Sequence, residues 1–116
     1  MVITRASMPS VETDSCHGGK GKLTCTEMLA DYDKNGPGFT YLHDDVLAPG
    51  ASIGEHTHHG NEEVYLVLEG HGTIIVDGRP HPIGPGEMAI TRDGHSHGLV
   101  NGPDTPMRLL VMCTNL

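Results

Sequence analysis

The chain has 116 residues, which is the length of one ordinary domain. It is rich in His (9) and Gly (16), poor in aromatic residues (no Trp, 1 Phe, 3 Tyr), and carries a formal net charge of −8. This acidic balance excludes a basic surface suited to nucleic acid, and no apolar run is long enough to span a bilayer.

Residues 1–38 carry the weakest patterns of the chain. Residues 1–10 lack the apolar core of a secretory signal, which favours a cytoplasmic protein. The Gly-rich residues 16–21 are typical of a loop, and residues 23–30 fit either a strand or a short helical turn. We interpret residues 1–38 as an N-terminal extension whose strands pack on the main domain or on a partner.

The cysteines do not form a disulfide framework. They are odd in number and widely spaced, and none is part of a Cys-x-x-Cys pair: Cys16, Cys25 and Cys113. We therefore expect reduced thiols, and neither a zinc ribbon nor a thioredoxin-type site.

From residue 39 onward, turn signals recur about every eight to ten residues, a rhythm typical of a sandwich or barrel of short antiparallel strands. The Asp77-Gly78 dipeptide follows a β-branched run and predicts a hairpin with a type I′ turn. Apolar runs at residues 64–68, 73–76 and 107–112 predict strands. No segment after residue 39 supports a helix, so we predict one all-β domain over residues 39–116.

The histidines are concentrated in two places. His56 and His58 lie just before Glu62 and Glu63, and a second pair follows at His95 and His97. Two residues separated by one position share a face of a strand, so each pair offers two imidazoles to one metal ion. Taken singly, each pair also fits exposed surface histidines, and strand geometry alone does not select between the two glutamates.

Two spaced patterns resemble the motifs of the cupin family. The first is Gly50, five residues, His56-Thr57-His58, four residues, Glu63, six residues and Gly70. By this resemblance, the spacing back from Gly70 selects Glu63 as the carboxylate.

The second pattern runs from Gly86 through Gly94 and His97 to Asn101. Arg92 stands where the family motif has Pro, which puts the local turn in doubt more than metal binding. Both patterns occur in order with a spacer of 15 residues, and together they cover residues 50–101.

The resemblance implies a cupin barrel, that is, a double-stranded β-helix of jelly-roll type with a metal ion in its mouth. The ligands implied are His56, His58, Glu63 and His97. Three imidazoles and one carboxylate suit Mn²⁺, Fe²⁺, Ni²⁺, Co²⁺, Cu²⁺ or Zn²⁺, and on an octahedral ion they leave positions open for a ligand. We expect Asn101 to hold backbone near the metal.

We expect catalytic groups beside this site. His95 is two residues from His97 and is predicted to donate or shuttle protons, and Tyr65 shares a face with Glu63. Tyr41 and His43 alternate on a strand that would line the same barrel. We assign no role to Cys16, His17 or Cys25.

The sequence therefore predicts a metal-dependent enzyme acting on a small oxygenated substrate, as a dioxygenase, decarboxylase, isomerase or lyase. The alternatives are a non-catalytic protein that binds a small carboxylate such as oxalate through the metal, and a storage or sensory scaffold. If Glu63 points inward, Val64, Leu66 and Leu68 point outward and need cover from residues 1–38 or from a second subunit. We expect a homodimer.

Overall fold

The computed structural model describes residues 1–116 and contains ten strands, with 3₁₀ turns at Arg5–Ser7 and Cys16–Gly18. The strands are β1 (Ser10–Asp14), β2 (Lys22–Glu27), β3 (Gly38–Leu47), β4 (Ser52–Thr57), β5 (Asn61–Glu69), β6 (Gly72–Val76), β7 (Arg79–Ile83), β8 (Met88–Thr91), β9 (Ser96–Asn101) and β10 (Met107–Asn115). No helix has the length and apolar character that crossing a membrane requires.

The strands form two antiparallel sheets, which confirms the predicted all-β jelly-roll class. One sheet has the order β1-β2-β3-β10-β5-β8, and the other has the order β4-β9-β6-β7. The three apolar runs predicted as strands lie within β5, β6 and β10. Of residues 23–30, the first part is strand β2, which extends to Glu27.

The Asp77-Gly78 hairpin is confirmed. Asp77 has φ of 49° and Gly78 has φ of 77°, as a type I′ turn requires. Val76 and Arg79 pair across the turn, so β6 and β7 form a tight two-residue hairpin.

Side-chain alternation places one face of each sheet inside. Glu63, Tyr65 and Val67 of β5 are buried, while Val64 and Leu66 between them are partly exposed. The core between the sheets is almost entirely aliphatic and contains Leu23, Leu47, Ala51, Ile53, Tyr65, Val67, Ile74, Ile83, Leu99, Met107, Leu109 and Val111. Short aliphatic side chains thus fill the space that larger aromatic residues occupy in many domains.

The N-terminal strands continue the six-stranded sheet. β2 pairs antiparallel with β3 from Leu23 opposite Leu47 to Glu27 opposite His43. β1 pairs in turn with β2. Inward-facing residues of β2 therefore lie on the same sheet face as those of β3 and β5.

Asp44 anchors charged residues on the outer face of this sheet. Its carboxylate is 3% exposed and accepts hydrogen bonds from Arg5 at 2.7 Å and from Arg108 at 2.9 and 3.0 Å. The Arg108 hydrogen bonds outweigh the effect of burial and hold the pKa of Asp44 below its ordinary value, with Arg5 acting in the same direction. The bond from Arg5 ties the N-terminal segment to β3.

We expect Asp44→Asn to lower the free energy of unfolding by about 1–2 kcal/mol at pH 7, because two guanidinium groups lose their buried partner. Since the folded pKa is depressed, this contribution is complete above the ordinary aspartate pKa of about 3.9 and disappears as pH falls through the lower folded value. Chemical denaturation of both proteins from pH 7 to pH 3 measures it. The exposed control Asp104→Asn should match the wild type, and a constant gap between Asp44→Asn and wild type at every pH would contradict the assignment.

Candidate metal centre

Four side chains from both sheets meet between the layers. His56 and His97 are directly opposite each other in the β4–β9 pair, and His58 follows the end of β4. Glu63 reaches the same point from β5 of the other sheet. His58, Glu63 and His97 are buried and His56 is partly exposed, so the cluster is open on the His56 side.

The donor atoms of this cluster are close together. The Nε2 atom of His97 lies 3.0 Å from that of His58 and 3.1 Å from that of His56. Glu63 Oε1 lies 3.0 Å from His97 Nε2 and 3.2 Å from His58 Nε2. One atom from each of the four residues lies within 4.8 Å of all the others.

The opposite ring nitrogens are held by partners outside the cluster. Nδ1 of His56 donates to the Gly54 carbonyl at 2.8 Å, and Nδ1 of His58 pairs with Asn61 Oδ1 at 2.8 Å. An acceptor at Nδ1 selects the tautomer whose Nε2 carries a lone pair. The Nδ1 atom of His97 pairs with the hydroxyl of Thr91 at 2.7 Å.

This arrangement fits a transition-metal ion. Two donors each 2.1 Å from a metal are about 3.0 Å apart when they lie at right angles and about 3.4 Å apart in a tetrahedron. The observed spacings of 3.0 and 3.1 Å match adjacent positions of an octahedral ion. Glu63 Oε1 is buried and has no hydrogen-bond partner. Lone pairs converging in a buried space are stabilised by a cation.

The other oxygen of Glu63 is already engaged. Tyr41 donates its hydroxyl to Oε2, which leaves Oε1 directed at the imidazoles. Burial alone would raise the pKa of Glu63, but the His97 ring and the Tyr41 hydroxyl hold it below its ordinary value. Burial lowers the pKa of His56. The cluster therefore presents an ionised carboxylate and a neutral imidazole at neutral pH, the forms that bind metal ions.

A cavity of about 210 Å³ adjoins the cluster. It is lined by Glu63 and His56 of the cluster together with Thr13, Cys16, His17, Leu23, Cys25, Tyr41, His43, Asp45, Ile53, Tyr65 and Val111. No Lys or Arg is among these residues, so a metal ion would be the source of positive charge in the cavity.

Aromatic rings fix the orientation of two of the imidazoles. Tyr65 stacks on His97 with ring centroids 4.4 Å apart, and His17 stacks on His56 with centroids 3.7 Å apart. Burial raises the pKa of the Tyr65 hydroxyl well above its ordinary value, so that hydroxyl keeps its proton at neutral pH and can donate a hydrogen bond. Tyr65 faces the cavity as its alternation with Glu63 predicted.

His95 does not face the cavity, contrary to the expectation from its spacing to His97. Its side chain is 55% exposed, and its Nδ1 pairs with Asp77 at 2.6 Å. The alternation rule fails because His95 precedes the first residue of β9 and belongs to a turn in which its N–H donates to the Arg92 carbonyl. The hydrogen bond from His95 to Arg92 also shows that the turn forms, although Arg92 stands where the cupin motif has Pro.

The Asn101 side chain holds backbone in place, as predicted, but it does so at the β3–β4 connection rather than beside the four-residue cluster. Its amide nitrogen donates to the carbonyls of Ala48 at 3.0 Å and Thr105 at 2.8 Å. These bonds hold the β3–β4 connection against the end of β9. His59, next to the cluster in sequence, is exposed.

The comparison with known families settles the classification. The family model of the cupin domain matches residues 44–113. This chain belongs to the cupin family. All four cluster residues lie within the matched segment, which runs from within β3 to within β10.

Individual cupins resemble this chain over most of its length. An oxalate-binding protein from Thermotoga maritima is 28% identical over 112 residues, covering 97% of this chain and 92% of that protein. The crystal structure of a predicted oxalate decarboxylase from Thermotoga maritima superposes with a TM-score of 0.88 at 28% identity and covers all of both chains.

Two further matches are partial. The polyketide cyclase RemF from Streptomyces resistomycificus has a TM-score of 0.76 at 28% identity, covering 98% of this chain and 78% of the other. L-ectoine synthase from Bordetella parapertussis is 32% identical over 80 residues, and the matched region spans 58% of that enzyme.

The segment that carries His17 is packed on β4 with no spare room, a feature that sequence reasoning missed. A Cβ atom at Gly54 would overlap the carbonyl oxygen of His17, and one at Gly19 would overlap that of Ser52. The backbone N–H of Ser52 also donates a hydrogen bond to the Lys20 carbonyl at 2.8 Å. Only the presence of two glycines at facing positions hints at this close approach in the sequence.

We expect Gly54→Ala to displace this segment, since the added methyl group and the His17 carbonyl cannot both fit. The free energy of unfolding should fall by about 1–3 kcal/mol, and alkylation of the neighbouring thiol of Cys16, mapped by mass spectrometry, should become faster. Gly102→Ala is the matched control, because a Cβ there meets nothing nearer than 3.4 Å. Unchanged stability and unchanged Cys16 alkylation in Gly54→Ala would contradict this packing argument.

Proposed function

We propose that this cupin binds a small carboxylate through a divalent metal ion held by His56, His58, Glu63 and His97. The observation that carries the proposal is the set of four converging donors bordered by a cavity of about 210 Å³. The oxalate-binding relative, which matches nearly the whole chain, supports a carboxylate as the ligand. When bound, the metal supplies a Lewis-acidic centre with open positions for ligand oxygen atoms.

The charges of the cavity support a ligand that depends on the metal. A divalent ion with one coordinated carboxylate leaves a net positive charge in a buried space, which favours an anion. Without the ion, an anion would meet the ionised Glu63 and no cationic side chain. Carboxylate binding should therefore vanish with the metal rather than merely weaken.

This metal dependence can be measured by calorimetric titration of oxalate into protein loaded with Mn²⁺ and into protein stripped with a chelator. We expect saturable 1:1 binding to the loaded protein only. His58→Ala should lower Mn²⁺ affinity by about 100-fold or more and abolish oxalate binding, because it removes a buried ligand.

The matched control is His59→Ala, which removes the exposed neighbouring imidazole and should leave both affinities unchanged. Oxalate binding of equal strength to stripped protein would refute the metal-dependent mode. Retention of Mn²⁺ by His58→Ala would refute the ligand set.

Turnover of the bound ligand is the second candidate function, and Tyr65 is the observation that favours it. Its hydroxyl-bearing ring lines the cavity, contacts His97 and stays protonated at neutral pH, so it can donate a hydrogen bond to charge that develops on a bound ligand. Exposed His95 has no part in this scheme. The protein is an enzyme if the metal-loaded form consumes the ligand and if Tyr65→Phe slows this consumption without changing ligand affinity. It is a binding protein if the ligand is recovered chemically unchanged.

The cytoplasmic location stays a prediction.

We also infer that two copies pair through the outer face of the six-stranded sheet. Aliphatic side chains form a continuous cross-strand row there: Met112 is opposite Val64, Leu110 is opposite Leu66, and Val64 and Leu66 are opposite Ile90 and Met88. Met88 and Ile90 are 57% and 50% exposed. In this proposal residues 1–38 form an extension that packs on the barrel of residues 39–116. The extension contacts β3 through Arg5, which leaves the outer faces of β10, β5 and β8 for the partner subunit to cover.

We expect Leu66→Glu to convert a dimer into a monomer, because each interface would bury two unpaired carboxylates. Size-exclusion chromatography with light scattering gives the mass, and metal content shows that the barrel is intact. Val100→Glu places the same charge at a 41% exposed position on the other sheet and should remain dimeric. A wild-type protein of monomeric mass would refute the interface.

A further inference from the structure

A second group of potential ligands lies on the cavity wall formed by β2 and β3. Cys25, His43 and Asp45 each offer one donor atom, and these atoms lie within 4.8 Å of one another. Cys25 is directly opposite Asp45 in the β2–β3 pair, and His43 is two residues from Asp45 on the same face. All three line the cavity that adjoins the first cluster.

Asp45 has no partner for one of its oxygens. Its side chain is 3% exposed, and Oδ1 accepts no hydrogen bond. A buried carboxylate oxygen without a partner is destabilising, so its presence on a cavity wall indicates a ligand that compensates it. Burial raises the pKa of Asp45 to about 6, although the neighbouring His43 and Cys25 side chains act in the opposite direction.

His43 is oriented as a metal-binding histidine would be. Its Nε2 donates to Glu27 Oε2 at 2.7 Å, so Nδ1 carries the lone pair. A carboxylate on the far nitrogen is the usual support of a metal-binding imidazole. The Tyr41 ring stacks on His43 with centroids 4.5 Å apart and limits its rotation.

The geometry points to a second metal site, in which Cys25 Sγ, His43 Nδ1 and an Asp45 oxygen bind a thiophilic divalent ion such as Zn²⁺ or Co²⁺. Because all three residues line the shared cavity, a further ligand to that ion would come from the cavity. Thiolate, imidazole and carboxylate together select Zn²⁺ or Co²⁺ over Mn²⁺, whereas the first cluster contains no sulfur. Binding releases the Cys25 thiol proton to solvent, and the Sγ–metal bond replaces the S–H bond.

This proposal goes beyond the carboxylate function and does not depend on it. Sulfur provides a readout that the first cluster cannot produce, because thiolate bound to Co²⁺ gives a charge-transfer absorption and imidazole and carboxylate do not. Titration of the full chain with Co²⁺ should produce this band and a stoichiometry of two ions per chain. X-ray absorption of the loaded wild type, which averages over both ions, should detect one sulfur scatterer for every two Co²⁺ ions.

Variants identify which cysteine supplies the sulfur ligand. Cys25→Ser should abolish the band and leave one ion per chain. The matched control Cys16→Ser removes the other cavity thiol and should keep the band and both ions. His97→Ala should keep the band while losing the first ion, which separates this proposal from the proposed function. Glu27→Gln should weaken the second ion by about 10–100-fold with the band retained, as expected for a positioning residue.

Three results would overturn the second site: only nitrogen and oxygen scatterers in the wild type, a stoichiometry of one ion per chain without the thiolate band, or a band that survives Cys25→Ser and disappears in Cys16→Ser. One ion per chain with the thiolate band would instead contradict the first site. The wild-type scattering measurement needs no variant, so the test stands even if Cys25→Ser fails to fold.

Discussion

The structure depends on the convergence of three imidazoles and one carboxylate in a space closed to water on most sides. Four pairs of their donor atoms lie 3.0 to 3.2 Å apart, and each imidazole is held in place by a partner at its opposite nitrogen. Converging lone pairs repel each other, so the surrounding fold must hold them together when no cation is bound. The chain does this with backbone and short side chains: the Gly54 carbonyl, Asn61 and Thr91.

Both sheets are needed to bring these donors together. The antiparallel pairing of β4 with β9 sets His56 opposite His97, and β5 supplies Glu63 from the other sheet. A shift of one residue in any of these strands would turn its ligand to the outer face. The aliphatic core and the buried Asn101 amide, which ties β9 to the β3–β4 connection, therefore contribute to the site by fixing strand register.

The cavity has two chemically different walls. On one side are nitrogen and oxygen donors only, and on the other lie a thiol, an imidazole and a carboxylate from β2 and β3. Strand β2 comes from the N-terminal part of the chain, outside the matched cupin segment. This strand places the Cys25 thiol opposite Asp45, so that one small cavity is bordered by two donor sets.

Several features were determined by the sequence alone. The turn signals and β-branched runs specified short antiparallel strands and the Asp77-Gly78 hairpin, because these depend on local backbone preferences. The spaced patterns named His56, His58, Glu63 and His97, which the structure brings together. The period of two within β5 also predicted that Tyr65 would face inward with Glu63.

Other features were decided only by the tertiary structure. His95 has the same spacing to His97 as His56 has to His58, yet it lies in a turn, where strand alternation does not apply. His17 stacks on His56 because two glycines allow a distant loop to approach β4, and Cys25 meets Asp45 because β2 pairs with β3 in one particular register. Contacts of this kind join residues far apart in the chain, and their geometry depends on how the strands pair rather than on local residue preferences.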